Sequence, residues 1–225
     1  CQVKPNPTTS RLILVCFAVP EEAAPLAKAP LAPDIECLVT GIGKINAGRR
    51  VRAAIAARTP ALVLTCGFAG ALDPELRIGD VLFDEDPECD LAPVLRRLGA
   101  IPGTFHSADR VAVSANDKAR LRQLTGAHAV EMESGAIRRI CREHGVPSAT
   151  VRAISDVTGE DLPLDFNRLV TPDGKIPTGA VIAAVLRSPG SIPGLLRLRR
   201  NTLTAGRRLA EILRGLLESV RTSGA

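Results

Sequence analysis

Glu131 and Glu133 flank a single methionine at the end of Ala129-Val-Glu-Met-Glu-Ser134, and further on the apolar run Ala149 to Ile154 stops at Ser155-Asp156. Both stretches put carboxylates at the carboxyl ends of predicted strands, where open α/β sheets build their ligand sites. Desolvating such groups is costly unless something pairs with them. A polyol would do so, because one carboxylate accepts two hydrogen bonds and can hold the adjacent 2′- and 3′-hydroxyls of a ribose. The competing reading places Glu131 and Glu133 at the start of a helix running from about Glu133 to His144, where acids favour the helix dipole.

Two glycine loops offer a close backbone approach to a ligand. Gly41-Ile42-Gly43 follows a predicted strand and opens a helix, but the third glycine of a dinucleotide fingerprint would fall at position 46, which is Asn, and no suitable acid follows. The second loop, Gly67-Phe68-Ala69-Gly70, ends the strand predicted over Ala61 to Cys66. Helix N-termini behind these loops would favour an anion; the plainer alternative is that the glycines only permit tight strand-to-helix turns.

The elements that must position these groups alternate. Arg11 to Val19 reads as a buried first strand, with a helix starting at Pro20-Glu21-Glu22. Ile35 to Thr40 is a strand and Ile45 to Arg58 a helix; Gly79 to Phe83 is a strand and Leu91 to Leu98 a helix. Val111 to Val113 reads as a short strand, Ser114 to Asp117 caps a helix to about Leu124, and His128 to Val130 is the strand before the two glutamates. Repeated β-α order predicts one sheet between helix layers.

Composition narrows the function. The chain has 225 residues, 45% hydrophobic and 24% charged, enough for one domain with a full core. Its aromatics are five Phe, with no Trp or Tyr, so the core must be aliphatic and no platform for stacking single-stranded nucleic acid is expected. Cysteines 1, 16, 37, 66, 89 and 141 show no metal-binding spacing, which predicts no zinc site and a reduced, cytoplasmic setting. No apolar run approaches the roughly 20 residues of a membrane span. Cys1 and the polar residues 2–10 read as a trimmed or disordered end, and residues 11–225 as the single domain.

Taken in order, Ala18-Val-Pro-Glu-Glu22, Thr40-Gly-Ile-Gly-Lys-Ile-Asn-Ala47, Cys66-Gly-Phe-Ala-Gly-Ala-Leu72, Gly79-Asp-Val81, Ala129-Val-Glu-Met-Glu-Ser134 and Val151-Arg-Ala-Ile-Ser-Asp156 resemble the nucleoside phosphorylase and nucleosidase superfamily over about Leu12 to Val157. Within it the chain looks most like the adenine-releasing nucleosidases that cleave 5′-methylthioadenosine and S-adenosylhomocysteine, and their relative acting on adenosylhopane. The resemblance implies a three-layer α/β/α sandwich around a mixed, barrel-like sheet, dimeric or larger, with no cofactor.

It also implies roles. Asp156 would be the general acid that protonates purine N7, steadied by Ser155, so that the base leaves neutral through an oxocarbenium-like state. Glu133 would hold the ribose hydroxyls, Met132 would pack on the sugar, and Glu131 would line the same pocket. Glu22 matches the position that orients or deprotonates the attacking water. Val111 and Ala112 align with the segment whose backbone reads the base edge. Two departures stand out: Phe68 replaces a common Ser, and Val111 a Phe that stacks on the base.

Water is favoured over phosphate as nucleophile, since Thr65-Cys66 stands where phosphorylases of the superfamily place an Arg, and Pro20-Glu21-Glu22 offers acids where a dianion would need cations. Phosphorolysis and a non-catalytic nucleoside-binding protein are the alternatives. The segment of about 176–220, above all Leu186 to Leu213, is basic and leucine-rich, and the chain carries a formal net charge of +5. It could lie on an anionic membrane at the inner face of the cell, or pack as an ordinary helix pair on the domain or a partner subunit. The loop Asp161 to Asn167 is placed for a lid, with an ordinary surface loop as the default reading.

Overall fold

Alternation along the first strand sets the layering. In β1 (Ile13–Phe17) every residue is buried, but Ile13, Val15 and Phe17 enter one apolar cluster and Leu14 and Cys16 another. A strand that is apolar on both faces needs a cover on each. The computed structural model describes residues 12–223, so the trimmed end expected at 1–10 lies outside the described residues.

After β1 come α1 (Pro20–Ala27), β2 (Ile35–Val39), α2 (Lys44–Ala57), β3 (Leu62–Ala71) and β4 (Val81–Glu85). Then follow α3 (Ala92–Arg97), β5 (Ile101–Pro102), β6 (Phe105–Ser107), α4 (Ala115–Thr125), β7 (Ala129–Glu131), α5 (Ser134–Glu143) and β8 (Ser148–Asp156). The chain closes with α6 (Thr178–Arg187) and the long α7 (Ile192–Ser223). The strand order is β2-β1-β3-β8-β4-β5, with β7 paired to β3 and β6 to β7. β1, β2, β3 and β8 run parallel, while β4 is antiparallel to β8 and β7 to β3. The expected mixed sheet is present, and it is open rather than closed.

Helices α2 and α5 cover one face and α1, α3 and α7 the other. In α5 the buried side chains Ala136, Ile137, Ile140 and Cys141 fall at helical spacing, and in α7 the buried stripe is Ala205, Leu209, Ile212, Leu213 and Leu216. The C-terminal segment folds as two helices, and the buried apolar residues of α7 begin at Ala205, in its second half. Helix α6 has no buried residue.

Three local expectations change. The strand expected to stop at Cys66 continues through Gly67-Phe68-Ala69-Gly70 to Ala71, so no helix begins behind that loop. The glycines serve side chains instead: a Cβ on Gly67, at φ +145°, would lie 2.5 Å from Glu22 Oε1 and 2.6 Å from Arg152 Nη1, and one on Gly70 would lie 2.9 Å from Asp156 Oδ1. Val111 to Val113 is not a strand, because the Asn167 side chain takes the backbone of Val111 and Leu162 N–H donates to Val113 C=O at 2.8 Å. The short strands β5 and β6 were not foreseen.

Candidate active site

The β3–β8 pairing is parallel and regular up to Ala69 opposite Ile154, then shifts so that Gly70 faces Asp156. The irregularity gives Ser155 no partner across the ladder and turns the end of β8, a common use of a bulge beside a site. Ser155 Oγ donates to Asp156 Oδ2 at 3.0 Å, while Asp156 Oδ1 pairs with Lys118 Nζ at 2.5 Å.

Ten of the eleven residues singled out in the sequence line one cavity of about 250 Å³: Glu22, Ile42, Phe68, Val111, Ala112, Glu131, Met132, Glu133, Ser155 and Asp156. Gly67 lies beneath the wall, between Glu22 and Arg152. Elements from both ends of the chain converge here: α1 brings Glu22, the loop before α2 Ile42, β3 Phe68, β7 and the turn after it residues 131–133, and β8 the Ser-Asp pair.

The cavity's acidic end is organised by a residue to which sequence reasoning gave no role. Arg152, buried in the middle of β8, contacts Glu131 Oε2 at 2.8 Å, Glu133 Oε2 at 3.3 Å and Thr65 Oγ1 at 3.2 Å through Nη2. A charge inside an apolar strand costs too much to stand alone, and that was the available signal in Ala-Thr-Val-Arg-Ala-Ile.

The two glutamates differ in kind. Glu131 Oε2 accepts from the N–H groups of Glu133 and Ser134 at 2.9 and 2.7 Å, and Oε1 from Ser134 Oγ at 2.7 Å. Burial alone would raise its pKa, but Arg152 and these donors hold it below the ordinary carboxylate value. Glu131 thus anchors the start of α5, as the helix-dipole reading supposed. Glu133 Oε1 accepts one N–H, from Gly43 at 2.9 Å. Burial pushes Glu133 up to about 7, with Arg152 opposing and the Glu131 charge adding to the rise.

Glu22 folds back on its own helix start. Oε2 accepts from Ala18 and Val19 N–H at 3.0 and 3.3 Å, and Oε1 from Phe68 N–H at 2.7 Å. Burial raises its pKa, and Arg152 and the three amides only partly offset that. A carboxylate raised toward neutrality is a better proton acceptor. Phe68 supplies this anchor through its backbone, while its ring lies against Gly206 of α7.

At the other end the base-reading expectation is halved. Val111 N–H donates to Asn167 Oδ1 at 2.8 Å and its C=O accepts from Asn167 Nδ2 at 3.1 Å, so Val111 offers the cavity only its side chain. Ala112 also lines the cavity. The loop placed for a lid is latched down by this asparagine and by Asp161 Oδ1, which accepts from Ala115 N–H at 2.7 Å, in keeping with an ordinary surface loop. No group of three or more potential metal ligands occurs among the described residues.

The family model described as "Phosphorylase superfamily" matches residues 14–86 and 92–187. The 5′-methylthioadenosine/S-adenosylhomocysteine nucleosidase of Marinomonas sp. (strain MWYL1) is 28% identical over 168 residues, covering 59% of this chain and 72% of that protein. The protein of the same name from Geobacillus kaustophilus (strain HTA426) is 28% identical over 172 residues, covering 61% and 73%. Among solved structures, futalosine hydrolase of Helicobacter pylori superposes with a TM-score of 0.68 at 19% identity, covering 93% of this chain and 98% of that one. An S-adenosylhomocysteine nucleosidase from Streptococcus pyogenes reaches 0.69 at 17%, covering 95% and 99%. Those two likenesses concern the fold, whereas the family model spans most of the strands and the carboxylates built on them, and by it the chain belongs to the phosphorylase superfamily.

Proposed function

We propose that this protein hydrolyses the N-glycosidic bond of an adenine-type purine nucleoside. One observation carries the reading: Asp156 and Glu22, an acid for the base and a base for the water, face a single nucleoside-sized cavity whose acidic end also holds Glu133. Asp156 protonates N7, the C1′–N9 bond breaks with its electron pair passing to the purine, and water activated by Glu22 adds to C1′. Glu133 holds the ribose hydroxyls, Met132 covers the sugar, and Ala112 meets the base edge.

Charge supports water over phosphate. Arg152 is engaged by Glu131 and Glu133, Lys118 by Asp156, and the cavity wall adds only Arg110 as a cation, at an exposed position. A phosphate dianion beside Glu22 and Glu133 would be repelled. Purine nucleosides supplied with and without phosphate should yield free base and free sugar equally. Sugar 1-phosphate as the product would overturn the reading.

The 5′ substituent has room to leave through an adjoining groove of about 670 Å³ that shares Ile42, Arg110 and Met132 with the site. The finer reading is an apolar substituent, of the kind adenosylhopane carries, taken from a membrane. No single helix among the described residues is long and apolar enough to cross a bilayer. Ile182, Leu186, Ile192, Leu196 and Leu203 are nevertheless exposed on α6 and the first half of α7, beside exposed Arg197, Arg199 and Arg200. Such a surface suits peripheral binding to anionic lipid. Flotation with anionic vesicles, lost when Arg199 and Arg200 become Glu, checks it; a protein that ignores vesicles refutes the lipid reading and leaves the hydrolase reading untouched.

A further inference from the structure

Lys118 of α4 is fully buried, with no exposed side-chain surface, yet it lies outside the set of residues picked out by any motif. Its ammonium has three N–H donors, and the structure accounts for each: Asp156 Oδ1 at 2.5 Å, Val157 C=O at 2.8 Å and Glu160 C=O at 3.1 Å. Two carbonyls from the turn after β8 fix the nitrogen in place, and the third contact points it at one oxygen of the residue read as the N7 acid. The second oxygen of Asp156 is held by Ser155 Oγ at 3.0 Å.

This arrangement poses a chemical question. An aspartate acting as general acid must have a proton to give, yet an ordinary aspartic acid titrates near 3.9 and is ionised at neutral pH. Here Asp156 Oδ1 lies 2.5 Å from the Lys118 ammonium nitrogen. Other charged groups nearby are committed elsewhere: the Glu160 carboxylate to Arg197 at 3.4 Å, Asp161 to the Ala115 N–H, and Asp117 of α4 to Ser114. Arg152 and its glutamates belong to the sugar end. The mobile proton available to Asp156 within the protein is therefore the one on Lys118 Nζ.

We propose that Lys118 is the proton reservoir and positioning residue of the general acid, so that Lys118 and Asp156 act together. The inference rests on the reading of Asp156 as N7 acid. As the C1′–N9 bond lengthens and N7 gains electron density, Asp156 Oδ1 takes a proton from Nζ and passes it to N7. The purine departs as neutral base, Asp156 is again a carboxylate, and Lys118 is left as a neutral amine that solvent reprotonates after the base has gone. The proton lost by the attacking water goes to Glu22 and from there to solvent, so nucleoside and water become free base and free sugar with no net proton change.

The test is the pH profile of kcat for wild type, Lys118→Met and Lys118→Arg on an adenine nucleoside. With the reservoir removed, Asp156 must draw its proton from solution. Lys118→Met should therefore lose about 10²-fold or more at pH 8, in the range of general-acid effects, and much less at pH 5, with KM little changed. Lys118→Arg keeps the positive charge but holds its protons too tightly to give one up. It should therefore restore little of the rate at pH 8, and near-complete rescue would leave Lys118 a positioning role without proton transfer. In an Asp156→Asn background, Lys118→Met should add no further loss. Should Lys118→Met fail to fold, Lys118→Gln, which keeps an amide donor for the two carbonyls, is measured in the same way. A loss that is equal at pH 5 and pH 8, or that adds in full to Asp156→Asn, would assign Lys118 a purely structural role and overturn the proposal. Should Asp156→Asn itself turn over normally, the underlying acid assignment fails instead.

Discussion

Replacing Arg152 with Met tests how the acidic end of the cavity is held together. Among the described residues Arg152 is the one cation paired with Glu131 and Glu133, and its charge also acts on Glu22. Methionine matches much of the side chain's length but leaves buried carboxylates without a counter-ion. Removing one partner of a buried pair typically costs about 3–5 kcal/mol, a large part of the roughly 5–15 kcal/mol that holds a domain folded. At about 2–4 °C per kcal/mol for a chain of this size, the melting temperature should fall by roughly 6–20 °C. The loss should depend on pH, and its sign follows from Arg152. In the wild type the Arg152 charge opposes the burial-driven rise at Glu22, Glu131 and Glu133. Without it, all three should sit above the ordinary carboxylate value in the folded state. An acid raised on folding contributes stability at low pH that is lost as pH climbs through its folded value. Denaturant melts of wild type and Arg152→Met at pH 5 and pH 8 should show a deficit wider at pH 8, by about 1.4 kcal/mol per carboxyl group for every tenfold by which its proton affinity rises. An equal deficit at both pH values, or a larger one at pH 5, would refute the electrostatic account of this cluster.

Asp156→Asn should keep the fold and nucleoside binding while lowering kcat by about 10²- to 10⁴-fold; turnover near wild type would remove Asp156 from the acid role. Glu133→Gln should reduce catalysis on ribonucleosides far more than on 2′-deoxy analogues, which already lack one hydroxyl partner, and equal losses would mean that Glu133 does not hold the sugar. Gly67→Ala must fit a methyl 2.5 Å from Glu22 Oε1 and 2.6 Å from Arg152 Nη1. It should cost several kcal/mol of stability by overpacking and strain and displace Glu22 enough to abolish turnover, whereas a fully active, stable variant would show that Glu22 need not sit where it does.

The strands and helices that carry long periodic runs were readable directly: β1, α2, α5 and β8 differ from expectation by only a few residues at their ends. Glycine was the weak point. Gly67 and Gly70 suggested a turn by composition, but their function is to make room for Glu22, Arg152 and Asp156 against a strand that goes on, a tertiary requirement with no local signature. Val111 to Val113 has the branched residues of a strand, and a side chain from far along the sequence, Asn167, takes its hydrogen bonds instead. At the site, the carboxylates showed themselves because acids at strand ends are anomalous. Arg152 was equally anomalous within its strand and identifiable on that ground. Lys118, in the polar run Asn116-Asp-Lys-Ala-Arg-Leu-Arg122, looks like any solvated helix residue, and only the turn after β8 closing over it reveals its burial.

In the proposed reaction water, activated opposite an acid at N7, cleaves the glycosidic bond. The decisive experiment incubates the protein with an adenine nucleoside in phosphate-free buffer made with H₂¹⁸O and analyses both products by mass spectrometry. Free adenine without label should form together with free sugar that, reduced on quenching before its anomeric oxygen can exchange, carries one ¹⁸O at C1, at a rate that phosphate does not raise and that Asp156→Asn lowers by about 10²- to 10⁴-fold. Intact nucleoside, or cleavage only when phosphate is added with sugar 1-phosphate as the product, would contradict the proposed reaction.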